Sequence, residues 1–160
     1  MLAVKTAVQT LLAADTTLTG QLATVPTVPS APAIYLNHIA SINEVLFPCV
    51  SLLCTGGPDG KLLFARDLHL VVDCWTEEIA AGAGLAAGES GCSALWERVR
   101  TLLHMAQQRH VLTVVGCTVP WCAVLPGSEG NTFERPRRLH HYYGAFHVTV
   151  VPRSESPRNA

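Results

Sequence analysis

At 160 residues the chain is long enough for one domain with a core of its own. Apolar residues make up 49% and charged residues 14%, well under the usual quarter, so much of the surface must be neutral or in contact with something, as in an assembly subunit. The net charge of -1 excludes a whole-chain electrostatic footprint for nucleic acid, and no apolar run approaches the roughly 18 residues that suggest a membrane-spanning helix.

Residues 2–14 put Val4, Ala7, Val8, Leu11 and Leu12 on one face, with Lys5, Gln9 and Thr10 opposite. This is the helical period, and the polar interruptions read as an amphipathic helix rather than an export signal. The six cysteines are therefore expected as reduced, buried thiols. Asp15-Thr-Thr-Leu-Thr-Gly20 ends the helix or begins a short second turn. A stiff connector follows, with Pro26, Pro29 and Pro32. Ala33–His38 and Phe47–Cys54 read as strands, the latter with Pro48 at its start, where a missing donor is tolerated.

Gly56-Gly-Pro-Asp-Gly60 is dense turn chemistry. It joins Phe47–Cys54 to the most regular stretch of the chain, Leu62–Trp75, as a β-hairpin. Within that stretch Leu68, Leu70, Val72 and Cys74 share one face. Asp67, His69, Val71, Asp73 and Trp75 share the other, which is expected to be wet. Residues 76–90 carry Gly82, Gly84 and Gly88 and read as a mobile lead-in, since each glycine weakens a helix by about 1 kcal/mol. A helix is expected from Ser90 to Gln107, burying Cys92, Leu95, Trp96, Val99, Leu102, Leu103 and Ala106.

Val111–Val119 is rich in β-branched residues and reads as a strand, interrupted by Pro120 and continued by Trp121–Leu125 after a bend. Pro126–Arg137 reads as a long exposed loop, and Leu139–Val151 as the last strand. The expected class is α+β: a mostly antiparallel sheet of four to five strands, with the N-terminal helix and a second long helix packed on one face. One domain is expected over 1–152, with 153–160 a disordered polar tail.

No chemical signature stands out. Cys-x4-Cys recurs at 49/54 and 117/122; each pair is taken to share one strand face and to pack as core thiols rather than as zinc ligands. Cys74 is close in sequence to His69 and Asp73 but faces the other way on a strand, and Gly88-Glu-Ser-Gly-Cys92 lacks the strand that a nucleophile elbow needs. No cofactor fingerprint is present. Arg135, Arg137 and Arg138, followed by His140 and His141 and near Trp121, Phe133, Tyr142 and Tyr143, form a solvated loop face or a contact surface. Trp75 and Trp96 read as core or subunit-interface residues.

Taken together, the Ala/Leu helix ending at Asp15–Gly20, the short Ile-Tyr strand, Phe47-Pro-Cys-Val-Ser-Leu52, the hairpin, the strand ending Leu70-Val-Val-Asp-Cys-Trp75, the Ala/Gly run and the second helix resemble the tail-terminator (tail-completion) proteins of long-tailed bacteriophages and phage-like particles. The resemblance spans most of residues 1–151. It implies structural work without catalysis or cofactor. Such proteins form a ring, usually of six copies, on the head-proximal end of the tail tube. The ring stops tube growth and docks to the head-completion protein, and DNA passes through its lumen unread. The protein would then be made in the host cytoplasm and reside in the virion, with no membrane contact.

A head-to-tail ring needs two different patches per subunit. The hairpin tip, with Gly56, Asp59 and Lys61, and the loop with Glu129, Phe133, Arg135, Arg137 and Arg138 are the expected contacts. Another neck component, such as a head-closure or connector subunit, and a small Cys/His-dependent hydrolase are the alternatives.

Overall fold

Twelve residues, Arg66–Glu77, form β5, the strand on which the sheet is built. A computed structural model of the chain describes residues 1–27, 29–37, 39, 44–56 and 65–153. Helix α1 spans Leu2–Ala13 and buries Val4, Val8 and Leu12. Asp15 caps α2 (Thr16–Thr19), its side chain accepting from the Leu18 amide at 2.7 Å. Strands β1 (Thr24–Val25) and β2 (Ala31–Pro32) pair with each other, so the proline-rich connector closes on itself as a small ladder. Then come β3 (Ile34–Tyr35), β4 (Cys49–Gly56), β5, α3 (Gly88–Leu103), a 3₁₀ turn (Ala106–Arg109), β6 (Cys117–Val124), β7 (Gly130–Glu134) and β8 (Leu139–Pro152).

The main sheet runs β3-β4-β5-β8-β6, with β7 also on β8. The α+β class holds. The sheet is mixed rather than purely antiparallel, because β3 enters parallel to β4. A parallel pair needs a crossover of about a dozen residues, which residues 36–48 supply. β4 and β5 pair antiparallel from Cys49↔Trp75 to Gly56↔Leu68, as the hairpin reading requires. β5 and β8 pair along the whole of β5. The expected disordered tail falls on residues outside those described, Arg153 excepted; the Arg153 amide donates to the Gly116 carbonyl at 2.9 Å.

Helices α1 and α3 cover one face. Val50, Leu52, Leu70, Val72, Cys74, Phe146 and Val148 meet Val8, Leu12, Leu95, Trp96 and Val99 there. The Trp96 ring packs against Gly144, where a Cβ would come within 2.4 Å of it, so only glycine admits the indole. The Trp96 Nε1 donates to Glu129 Oε1 at 2.9 Å, which satisfies the polar end of a buried aromatic. Asp15 joins α2 to α3 by accepting from Arg98 Nε (3.0 Å) and Nη2 (2.5 Å), a two-pronged match of carboxylate and guanidinium.

Four expectations change. α3 stops at Leu103 instead of Gln107, because residues 104–109 turn to serve the edge of β6: the Met105 amide donates to the Cys122 carbonyl, and Gln107 Oε1 accepts from the Cys122 amide. Residues 111–116 are not a strand. Leu112 and Val114 do point inward and Val111 and Val115 outward, but Gly116 at φ +72° turns the chain before any ladder forms. Residues 126–137 are not all loop, since Gly130–Glu134 is β7 and continues along the edge of β8 that β6 began. Finally, Cys49 and Cys54 lie in different clusters on opposite faces, because five positions is an odd offset on a period-two strand.

Candidate functional site

The expected contact residues separate into three places. Gly56 ends β4, and Asp59 and Lys61 lie outside the described residues. Phe133, Arg135, Arg137 and Arg138 gather at the tip of the β7–β8 hairpin, beyond the opposite end of β5, where Glu77 pairs with Leu139. At a rise of roughly 3.3 Å per residue, the twelve-residue β5 holds these two ends roughly 36 Å apart. Glu129 belongs to neither tip. It braces the connection between β6 and β7 against α3, accepting from Trp96 and lying 3.4 Å from Arg100 Nε.

The hairpin tip is built by a reversal at Arg138, which has φ +52°. Its Nε donates to Glu78 Oε2 at 2.6 Å, and that hydrogen bond holds the Glu78 carboxyl below its ordinary range. Arg135 and Arg137 are exposed beside half-exposed Phe133. An aromatic beside uncovered guanidinium groups is a composition that favours protein contact.

The second feature is the sheet face away from the helices. The wet-face expectation fails at one end: Asp73 is 5% and Trp75 3% exposed. Ala23, Ala33, Ile39, Cys49 and Leu139, together with Val25, Tyr35, Val45 and Phe47, form a second small core around Trp75. His141 stacks on Trp75, with ring centroids 3.7 Å apart and planes 4° apart. Its Nε2 lies 2.9 Å from Asp73 Oδ1, and the Ser51 hydroxyl lies 3.3 Å from the other carboxylate oxygen. Further along, His147 Nε2 is 3.0 Å from Asp67 Oδ1. The Thr149 hydroxyl, donating at 2.7 Å, and then the His147 ring hold the Asp67 carboxyl below its ordinary range.

Sequence reasoning missed both Asp–His pairs. Alternation places Asp67, His69 and Asp73 on one face of β5, and His141 and His147 on one face of β8. Only the register of β5 on β8 joins them, as diagonal cross-strand neighbours of the same hand.

Acid, imidazole and hydroxyl meet at Asp73, His141 and Thr132, but the Thr132 Oγ1 to His141 Nδ1 distance is 3.4 Å and the ring is sandwiched under Trp75. The arrangement suits cross-strand bracing better than proton transfer, which needs hydrogen-bond reach to an accessible group. Five of the six thiols are equally withdrawn, being buried. Burial raises Cys92 to about 11 and Cys122 to about 12, and pushes Cys49 and Cys74 up strongly. The reactive thiolate is thereby suppressed near neutral pH. Among the described residues no group of three or more His, Cys, Asp or Glu side chains could hold a metal ion, and no helix is long and apolar enough to cross a membrane.

No family model matches the chain, and no curated protein matches it. Among solved structures, it is similar to a chain of the virion of a native gene transfer agent (GTA) particle, at 17% identity and a TM-score of 0.64. The likeness covers 92% of this chain and 93% of that one.

Proposed function

We propose that the chain is a structural subunit of a phage-like particle, and specifically a tail terminator. In this reading copies join into a ring, six being the expected number. The ring caps the head-proximal end of the tail tube, stops its polymerisation, and binds the head-completion protein on its other side. DNA traverses the lumen without being read, and the subunit resides in the neck of the virion.

The observation that carries the reading is end-to-end likeness in fold to a chain of a phage-like virion, with little sequence left over on either side. The physical character of the molecule agrees with it. Its chemistry-bearing groups are spent on bracing: five thiols are raised by burial, and both Asp–His pairs tie β5 to β8. Gly56 at the end of β4 and the β7–β8 tip stand at opposite ends of β5, so a contact from one copy's tip to the far end of the next can repeat around a ring.

Removing the protein from particle-producing cells and imaging the products tests this. Tail tubes that overrun their normal length, accompanied by tailless heads, are the expected result, and a labelled copy should map to the head-proximal end of the tail. Tails of normal length joined to heads would overturn the reading. Arg135→Glu with Arg137→Glu, both on exposed positions, should lower incorporation into particles while leaving the thermal midpoint unchanged.

A further inference from the structure

Residues 111–116 and α1 leave a groove of about 700 Å³ between them, lined by Leu2, Ala3, Ala7, Leu11, Val111 and Val115. Its apolar lip is open to solvent: Val115 is 90% and Leu2 65% exposed. Scattered surface apolar residues need no explanation, but a contiguous apolar trough does. The groove shares Thr113 with a second cavity of about 300 Å³, which holds His110 and Arg153. Among the described residues no carboxylate lines either cavity. His110, in the lining of the second cavity, lies in the left-handed region at φ +56°, which costs a non-glycine residue roughly 1–2 kcal/mol. The groove is thus mostly apolar, with Thr6, Thr10 and Thr113 in its lining, and the cavity that adjoins it carries the Arg153 cation.

A segment of complementary character stands at the other end of the same chain. Past the end of β5, Glu77, Glu78 and Ile79 are exposed, with Ile79 at 73%. Small residues Ala80 to Gly84 follow it, all exposed, so nothing bulky hinders close approach. Arg138 neutralises Glu78, and among the described residues Glu77 makes no ion pair. The groove wall lies past the Arg66 end of the sheet, where Cys117 pairs with Pro152. The isoleucine segment lies past the Glu77 end.

We infer that the groove between α1 and residues 111–115 is the seat for the Glu77–Ala81 segment of a second copy, with Ile79 entering the apolar trough and Glu77 meeting Arg153. The contact joins two different patches, so it is heterologous and propagates from copy to copy until the rotation closes a ring. This inference rests on the assembly reading above and names the surfaces that reading needs.

Disulfide trapping tests it, because a bond forms only when two Cα atoms come within about 7 Å. Chains carrying Ile79→Cys and Val115→Cys are prepared separately, each with Cys117→Ser, since Cys117 is the one native thiol that is not buried. Both substituted side chains are exposed, so neither change touches the core. Mixed under mild oxidation, the two chains should give a covalent dimer severalfold above either chain alone, and above Val115→Cys mixed with Ala94→Cys, an exposed position on α3 that lines neither surface. Glu77→Arg should lower the yield, and Arg153→Glu on the partner chain should restore it.

Cross-linking no greater than in the Ala94 control, a dominant Val115-to-Val115 dimer, or a yield indifferent to both charge changes overturns the inference. Sedimentation of the unmodified protein separates the two levels. Association without this cross-link overturns the contact alone, whereas a monomer without it overturns the contact and leaves the assembly reading to the particle-imaging experiment.

Discussion

The two faces of β5 carry the same alternating pattern into different surroundings. On one, Leu68, Leu70, Val72 and Cys74 lie under α1 and α3 in a continuous dry layer. On the other, the strand changes character along its length. Asp73 and Trp75 are closed in beside Ala23, Ala33, Ile39, Val45 and Phe47, while Asp67 and His69 remain half-open beside His147. A single strand therefore supports a large core, a small core and a polar brace. Alternation decides which side chains travel together, and what covers them decides whether they act as core or as surface.

Substitutions can break this contrast, beginning with the helix-covered face. Phe146 is fully buried beneath Trp96, with the two ring centroids 5.9 Å apart. Phe146→Ala should cost about 3–5 kcal/mol, read as a fall in the urea midpoint. A loss below about 1 kcal/mol would mean that the layer under α3 is loosely packed.

At the closed end of the opposite face, His141→Ala leaves the buried Asp73 with only the Ser51 hydroxyl at 3.3 Å. A loss of about 1–3 kcal/mol is expected, the cost of a buried acceptor short of a partner. A double-mutant cycle with Asp73→Ala sharpens the point: the two losses should be less than additive if the pair acts as a unit, and additivity would reduce His141 to a packing residue on Trp75.

The smallest effect belongs to the open end. Asp67 has a native carboxyl held below its ordinary value of 3.8. Its contribution is fully present above that value and is lost as pH falls through the lower native one. Exposure and screening limit the contribution to a few tenths of a kcal/mol, in the usual range of solvent-exposed pairs. The urea midpoint of the wild type should therefore fall more steeply than that of Asp67→Asn below about pH 4. Equal slopes would mean that Thr149 and His147 do not hold this carboxylate in solution.

Much of the architecture could be read without coordinates, and the misreadings share a cause. α1, the β4–β5 hairpin, most of α3 and β8 follow from period and turn chemistry, because each satisfies its backbone or buries its apolar side in a way that neighbouring residues announce. Residues 111–116 have strand composition but meet Gly116 before they meet a partner. Residues 130–134 have loop composition yet form β7, because the edge of β8 offers a row of backbone groups to pair with. The basic cluster at Arg135–Arg138 was visible as composition. Its place on a hairpin tip, with Glu129 withdrawn to brace Trp96, was not.

By itself the amino-acid order determined the period of each long element, the apolar stripe of each helix and the sidedness of β5, since these depend on residues within a few positions of one another. Tertiary structure alone decided that Asp73 finds His141, that Gly144 receives Trp96, and that the groove beside α1 and the Ile79 segment stand at opposite ends of the sheet. Those relations join residues far apart in the chain through strand register and helix docking, and no local pattern encodes the register of one strand on another.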